Sequence, residues 1–110
     1  MYRPNQMDMY EYSTIPIDVT NIANKINALV DLTNMRKLGY KKIVDWLILN
    51  DIVEVQVFGD GKKRKTMTDY GKRMGFSIED RLGRWGAYQA IVCDRHAEEF
   101  IITNIEDIVK

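Results

Sequence analysis

The densest group of side chains that could bind a ligand is the basic run Lys62, Lys63, Arg64 and Lys65. Lysine and arginine neutralise phosphates and release counterions, so such a run is typical of a surface that contacts a nucleic-acid backbone. Further basic pairs flank it, namely Arg36 and Lys37, Lys41 and Lys42, and Lys72 and Arg73. Residues 32–75 therefore carry a net charge of +5, while the whole 110-residue chain has 16 basic and 16 acidic residues. This balance excludes a uniformly basic surface and leaves a local basic patch.

Residues that could perform catalysis or bind a metal are few. His96 is the only histidine and Cys93 the only cysteine, so their CxxH spacing is half of a zinc-binding pattern without a second pair. Glu98 and Glu99 do not make a triad with His96, because acids beside a helical histidine usually face solvent. Residues 59–62 lack the Gly-Lys-Ser/Thr ending of a phosphate-binding loop. We expect no catalysis, no metal and no cofactor.

The composition is that of one globular domain. Hydrophobic residues make up 45% and charged residues 29% of the chain, unlike the composition of a disordered protein. A single cysteine excludes an intramolecular disulfide framework and favours a reducing compartment such as the cytoplasm. No run reaches the roughly 18 apolar residues of a membrane span, and the N-terminus lacks the pattern of a signal peptide. We therefore expect no contact with a membrane.

Hydrophobic periodicity predicts three helices in the first half of the chain. Apolar residues recur at spacings of three and four over residues 18–31, with Asp18 as the cap. A short helix capped by Thr33 follows as far as Leu38. After a turn at Gly39, a third helix is predicted over residues 41–50, where Trp46 is expected in the core. The order is that of a helix-turn-helix unit.

Strand signals follow these helices. Val53, Val55 and Val57 alternate with polar residues up to Asp60-Gly61, which predicts a hairpin with a type I′ turn and a basic second strand. Residues 68–75 predict one helical turn, and residue 76 begins an extended segment. A turn over residues 82–86 and a strand over residues 88–93 come next, with Tyr88 expected to pack on the last helix.

Both ends of the chain leave alternatives open. Residues 1–15 predict a flexible arm whose tyrosines could pack on the domain or on a second copy. Asp94 caps the last helix, whose wide apolar face must be covered by the sheet and the first helix or by a homodimer partner. Trp85 lies in a turn beside Arg84, where it could cap the core or be an exposed anchor for a protein.

Three helices followed by a hairpin are the parts of a winged helix. Leu38-Gly39, Trp46-Leu47, Val53–Val57 and Thr68–Gly71 resemble the C-terminal module of phage antirepressor proteins. The resemblance covers roughly residues 20–76 and implies duplex DNA binding, with helix 40–50 in the major groove and wing 59–67 along the backbone. Residues 16–110 would then form one α+β winged-helix domain, with a core over 16–76 and a strand–helix extension over 77–110.

The sequence thus predicts a small, non-enzymatic bacterial or phage regulator or accessory factor that binds DNA. The predicted contacts are Arg36, Lys37, Tyr40, Lys41, Lys42, Lys62, Lys63, Arg64, Lys65, Lys72 and Arg73. The first turn of the recognition helix, helix 40–50, lacks Asn, Gln and Arg, and Asp45 would repel phosphate. We therefore expect weak sequence specificity.

The alternative is a protein-interaction module with the same fold, such as a phage-encoded inhibitor of a host factor. It would use Arg81, Arg84 and Trp85, and its acidic surface would consist of Asp18, Glu98, Glu99, Glu106 and Asp107.

Overall fold

A computed structural model describes residues 10–29 and 38–109. The elements are β1 (Ile17–Asp18), α1 (Val19–Leu29), α2 (Tyr40–Leu49), β2 (Val53–Val57), β3 (Lys63–Met67), α3 (Asp69–Arg73), β4 (Phe76–Gly83), β5 (Gly86–Cys93), α4 (Arg95–Thr103) and α5 (Ile105–Ile108). The α+β class is confirmed. The short helix predicted from Thr33 lies outside the described residues, as do Arg36 and Lys37.

Two antiparallel sheets organise the chain. The first has the order β1-β5-β4, and β4 pairs with β5 along its whole length, from Phe76 opposite Cys93 to Gly83 opposite Gly86. The second sheet is the hairpin of β2 and β3. We call β2, β3 and the loop between them the wing. The segment after residue 76 is therefore a full hairpin followed by helices.

The turn of the wing differs from the predicted one. The Phe58 N–H donates to the Lys62 carbonyl and the Gly61 N–H to the Phe58 carbonyl, both at 2.9 Å. Only Gly61 has a positive φ, at 83°. A type I′ turn needs positive φ at two central residues, so that prediction is wrong. The bonds match a three-residue loop in which a left-handed glycine follows a type I turn.

The core lies between α1, α2, the last two helices and the inner ends of the strands. Ile22, Ile43, Leu47 and Ile101 are among its fully buried side chains. Trp46 is buried as predicted, and its Nε1–H donates to Asp107 Oδ2 at 2.7 Å, which ties α2 to α5.

The predicted last helix is two helices that meet at Asn104. The Asp94 carboxylate accepts from the Ala97 N–H at 2.9 Å, which confirms it as the cap. The apolar positions Ala97, Ile101, Ile105 and Ile108 are all buried within the domain. The wide face is therefore covered without a second copy. Tyr88 lies in β5 as predicted, but its half-exposed ring lies against Gly83 and is not part of the core.

The described part of the N-terminal arm packs on α4. The Tyr10 hydroxyl donates to Glu98 Oε2 at 2.5 Å, and the Ser13 N–H donates to Glu98 Oε1 at 2.9 Å. Lys25 Nζ lies 3.3 Å from the same carboxylate. Glu98 is fully buried, so its prediction as a solvent-facing residue of an acidic surface is wrong. The cause is its position three and four residues before Ile101 and Ile102, on the apolar side of the helix.

Candidate functional site

A cleft of about 490 Å³ separates the wing from the start of α2. Lys65 of β3 and Tyr40 of α2 both line it, together with Asp18 at the start of α1 and Tyr88 and Gln89 of β5. The wing and the start of α2, the two elements that the sequence singled out for DNA contact, therefore border one surface.

The strand register divides the basic run of the wing. Paired residues of an antiparallel ladder point to the same face, and successive residues point to opposite faces. Lys63 pairs with Val57 and Lys65 with Val55, so these two lysines share one face. We call this face of the wing the lysine face. It borders the cleft, because Lys65 lines the cleft. Arg64 is on the other face and lies 3.4 Å from Asp80 in an exposed ion pair.

A side-chain amide holds the wing in place. Gln89 Oε1 accepts from the Lys65 N–H at 2.9 Å, and Gln89 Nε2 donates to the Lys65 carbonyl at 2.8 Å. The amide thus bonds like a peptide group of a neighbouring strand and joins the wing to the β4–β5 hairpin. Nothing in the local sequence of Gln89 indicates this partner, and sequence reasoning missed it.

The start of α2 presents basic and polar groups. Lys41, Lys42 and Asp45 are exposed, and no side chain within residues 10–29 and 38–109 caps the helix at Gly39. The exposed N-terminal end of the helix adds partial positive charge beside the two lysines, while Asp45 offsets part of it. Burial, followed by the negative charge of Asp18, raises the pKa of Tyr40, so its hydroxyl stays protonated at neutral pH and can donate a hydrogen bond.

Helix α3 continues directly from the wing. Thr68 caps it by accepting from the Gly71 N–H at 2.9 Å, and Thr68 also donates to the Asp51 carbonyl at 2.6 Å. A Cβ on Gly71 would lie 2.5 Å from the Ile52 carbonyl oxygen, so only glycine allows this close packing. Lys72 and Arg73, both exposed, stand at the end of this anchored turn.

The residues suggested for protein contact have different environments. Arg81 donates to Asp18 at 2.7 Å and to Glu79 at 2.8 Å, so its charge is already engaged. Arg84 and Trp85 form the exposed turn between β4 and β5. Trp85 is 93% exposed, which overturns its interpretation as a cap of the core.

The remaining polar candidates are separated from one another. Cys93 is buried, and burial, followed by the charge of Glu98, raises the pKa of its thiol. His96 is exposed at the start of α4. Within residues 10–29 and 38–109, no three His, Cys, Asp or Glu side chains form a group that could hold a metal ion. In the same part of the chain, no helix is long and apolar enough to cross a membrane.

No family model, no curated protein and no solved structure matches the chain. The similarity to phage antirepressor modules stays a prediction from a few short motifs.

Proposed function

We propose that the chain is a winged-helix protein that binds duplex DNA as a regulator or accessory factor. The start of α2 would enter the major groove, and the wing would follow the phosphate backbone. The observation that carries the proposal is the shared cleft, where Lys65 of the wing and Tyr40 of α2 border one surface. A helix followed at once by a basic hairpin on the same surface is the arrangement that a winged helix needs.

Electrostatics supports contact with phosphates. The exposed or half-exposed basic residues of this part of the chain are Lys41, Lys42, Lys62, Lys63, Arg64, Lys65, Lys72 and Arg73. Each phosphate that they neutralise contributes about 0.9 to the slope of log affinity against log salt. Base readout is sparse, because the start of α2 offers Tyr40 and two lysines instead of a bidentate amide or guanidinium. The proposed activity is therefore salt-sensitive binding with little sequence preference.

Two neighbouring wing residues give a matched test. Lys63→Ala and Arg64→Ala each remove one positive charge, but the first side chain is on the lysine face and the second on the opposite face. Fluorescence anisotropy with a mixed-sequence duplex would be measured at about 50 and 200 mM salt, where phosphate-driven affinity changes steeply. We expect Lys63→Ala to weaken binding several-fold and to lower the salt slope by about 0.9, with a smaller change for Arg64→Ala.

The outcomes separate the two functions that the sequence predicts. Equal losses in both variants would show that the wing acts only as a diffuse charge and would refute the proposed orientation. No binding of the wild-type protein at about 50 mM salt would refute DNA binding itself and favour the protein-interaction alternative.

A further inference from the structure

The β4–β5 hairpin ends in an unusually exposed apolar tip. Trp85 is 93% exposed and Leu82 is 86% exposed, the highest values among the large apolar residues that the structure describes. Arg84 is exposed beside Trp85 and has no ion-pair partner among the described residues. Tryptophan and arginine dominate the binding energy of interfaces, and a tight turn holds them at little cost in entropy.

The β4–β5 hairpin is bonded to the wing four residues away from each tip. Gln89 binds the backbone of Lys65, and both β3 and β5 run from their turns back toward the core. Gly61 lies four residues from Lys65 along the wing, and Trp85 lies four residues from Gln89 along its hairpin. At about 3.3 Å per residue, each tip extends roughly 13 Å beyond this connection. Each tip therefore lies within about 13 Å of the point where the two hairpins are joined.

The charge and polarity of the two tips indicate the partner. Residues 58–63 and 82–87 carry three basic side chains and one acidic one, namely Lys62, Lys63, Arg84 and Asp60. Phe58, which is 46% exposed, adds an apolar side chain to the wing tip. An arginine that enters the minor groove and an apolar wedge that opens a base step are a recurring pair in proteins that bend DNA. A protein partner would not require the basic excess.

We propose that the β4–β5 tip is a second DNA contact, in which Arg84 enters the minor groove and Trp85 wedges against a base step. The inference rests on the proposed function, since it uses the same duplex that the wing follows. It adds a contact outside the segment that resembles a winged helix, and it adds deformation of the duplex to backbone binding.

Tryptophan fluorescence tests this contact directly, because Trp46 is buried and Trp85 is exposed. The full chain would be titrated with a mixed-sequence duplex of about 20 base pairs at low salt. We expect the duplex to quench the Trp85 emission and to protect it from acrylamide. Trp85→Ala should weaken binding about tenfold, which is at the low end of the effect of losing an aromatic side chain that stacks on a base in single-strand binders. The salt slope should not change, because no charge is removed.

Two further variants complete the test. Ile15→Ala removes another exposed apolar side chain, 73% exposed and outside both hairpins, and should leave the affinity unchanged. Trp85→Phe keeps an aromatic ring and should restore most of the affinity. Circular dichroism would check that each variant is folded, which is expected because Trp85 does not contribute to the core.

The results distinguish this inference from the proposed function. Salt-sensitive binding with Trp85 still open to acrylamide, and with equal affinity for Trp85→Ala and wild type, would overturn the tip contact and leave the wing proposal standing. No binding by any variant would overturn both proposals. Protection of Trp85 by a protein and not by the duplex would assign the tip to a different class of partner and would also overturn the inference.

Discussion

Replacing Glu98 by glutamine should lower the free energy of unfolding by about 2 kcal/mol. The Glu98 carboxylate is fully buried and accepts from the Tyr10 hydroxyl at 2.5 Å and from the Ser13 N–H at 2.9 Å. A hydrogen bond to a charged acceptor contributes about 1.5–3 kcal/mol and a neutral one about 0.5–1.5 kcal/mol. The amide can keep both bonds in neutral form, since its oxygen accepts from Ser13 and its nitrogen donates to the Tyr10 oxygen. Each bond then loses about 1 kcal/mol.

Two smaller effects act in opposite directions. Lys25 Nζ lies 3.3 Å from the Glu98 carboxylate, but its side chain is 31% exposed, so water takes over most of its solvation when the partner charge is lost. A partly exposed pair of this kind contributes up to about 1 kcal/mol. Removing a buried charge also relieves its desolvation cost, which favours the glutamine variant, but the net value of a hydrogen bond to a charged acceptor already includes that cost. The lost hydrogen-bond strength therefore sets the sign.

Urea unfolding measures this change, and Glu99→Gln is the matched control. Glu99 is one position further along the same helix, is half-exposed, and pairs with Arg95 at 2.9 Å, so its replacement should cost no more than about 0.5 kcal/mol. A double-mutant cycle with Tyr10→Phe should give a coupling of about 1 kcal/mol for the bond between the two side chains. If Glu98→Gln is as stable as wild type, or loses no more than Glu99→Gln, relief of desolvation dominates and the arm is not held by this carboxylate.

Two further predictions concern pH and the wing. Burial raises the pKa of both Tyr10 and Cys93, with Glu98 adding to each shift, so the folded state keeps protons that the unfolded chain releases. The free energy of unfolding should therefore be constant below about pH 8.5 and decrease above it, first because of Cys93 and, above about pH 10, also because of Tyr10. Each group lowers it by at most about 1.4 kcal/mol per pH unit. Urea midpoints that stay constant from pH 8 to 11 would contradict this prediction. Gln89→Ala should remove two hydrogen bonds of about 1 kcal/mol each and speed hydrogen exchange of the Lys65 backbone amide about thirtyfold. Gln56→Ala, at an exposed position of the wing, is the control. If both variants exchange at the same rate, the Gln89 side chain does not hold the wing.

Features set by nearby residues were predictable from the sequence. The starts of α1, α3 and α4 agree with the prediction because Asp18, Thr68 and Asp94 each accept from a backbone N–H three residues later. The bounds of α2 follow from its apolar spacing. The turn of the wing was not predictable from Asp60-Gly61 alone, since the same pair also fits a loop in which only the glycine is left-handed.

Features set by distant residues were largely beyond the sequence. Tyr10 and Glu98 are 88 positions apart, and no local pattern pairs them. One signal for Glu98 was present, because helical spacing places it on the same side as Ile101, Ile102 and Ile105. An acid inside an apolar stripe is buried only if a partner reaches it, and here the N-terminal arm provides that partner.

The two-residue period of a β-strand changes the number of basic wing residues that can contact one DNA backbone. Counted along the sequence, Lys62 to Lys65 are four adjacent charges, which would give a wing contribution of about 3.6 to the salt slope. Successive side chains of a strand point to opposite faces. Arg64 is therefore on the face opposite Lys63 and Lys65, where its charge lies near Asp80. With Lys62 from the loop, at most three charges reach one backbone, and the expected contribution falls to about 2.7. A larger measured contribution would mean that the duplex contacts both faces of the wing, an arrangement that a single groove does not allow.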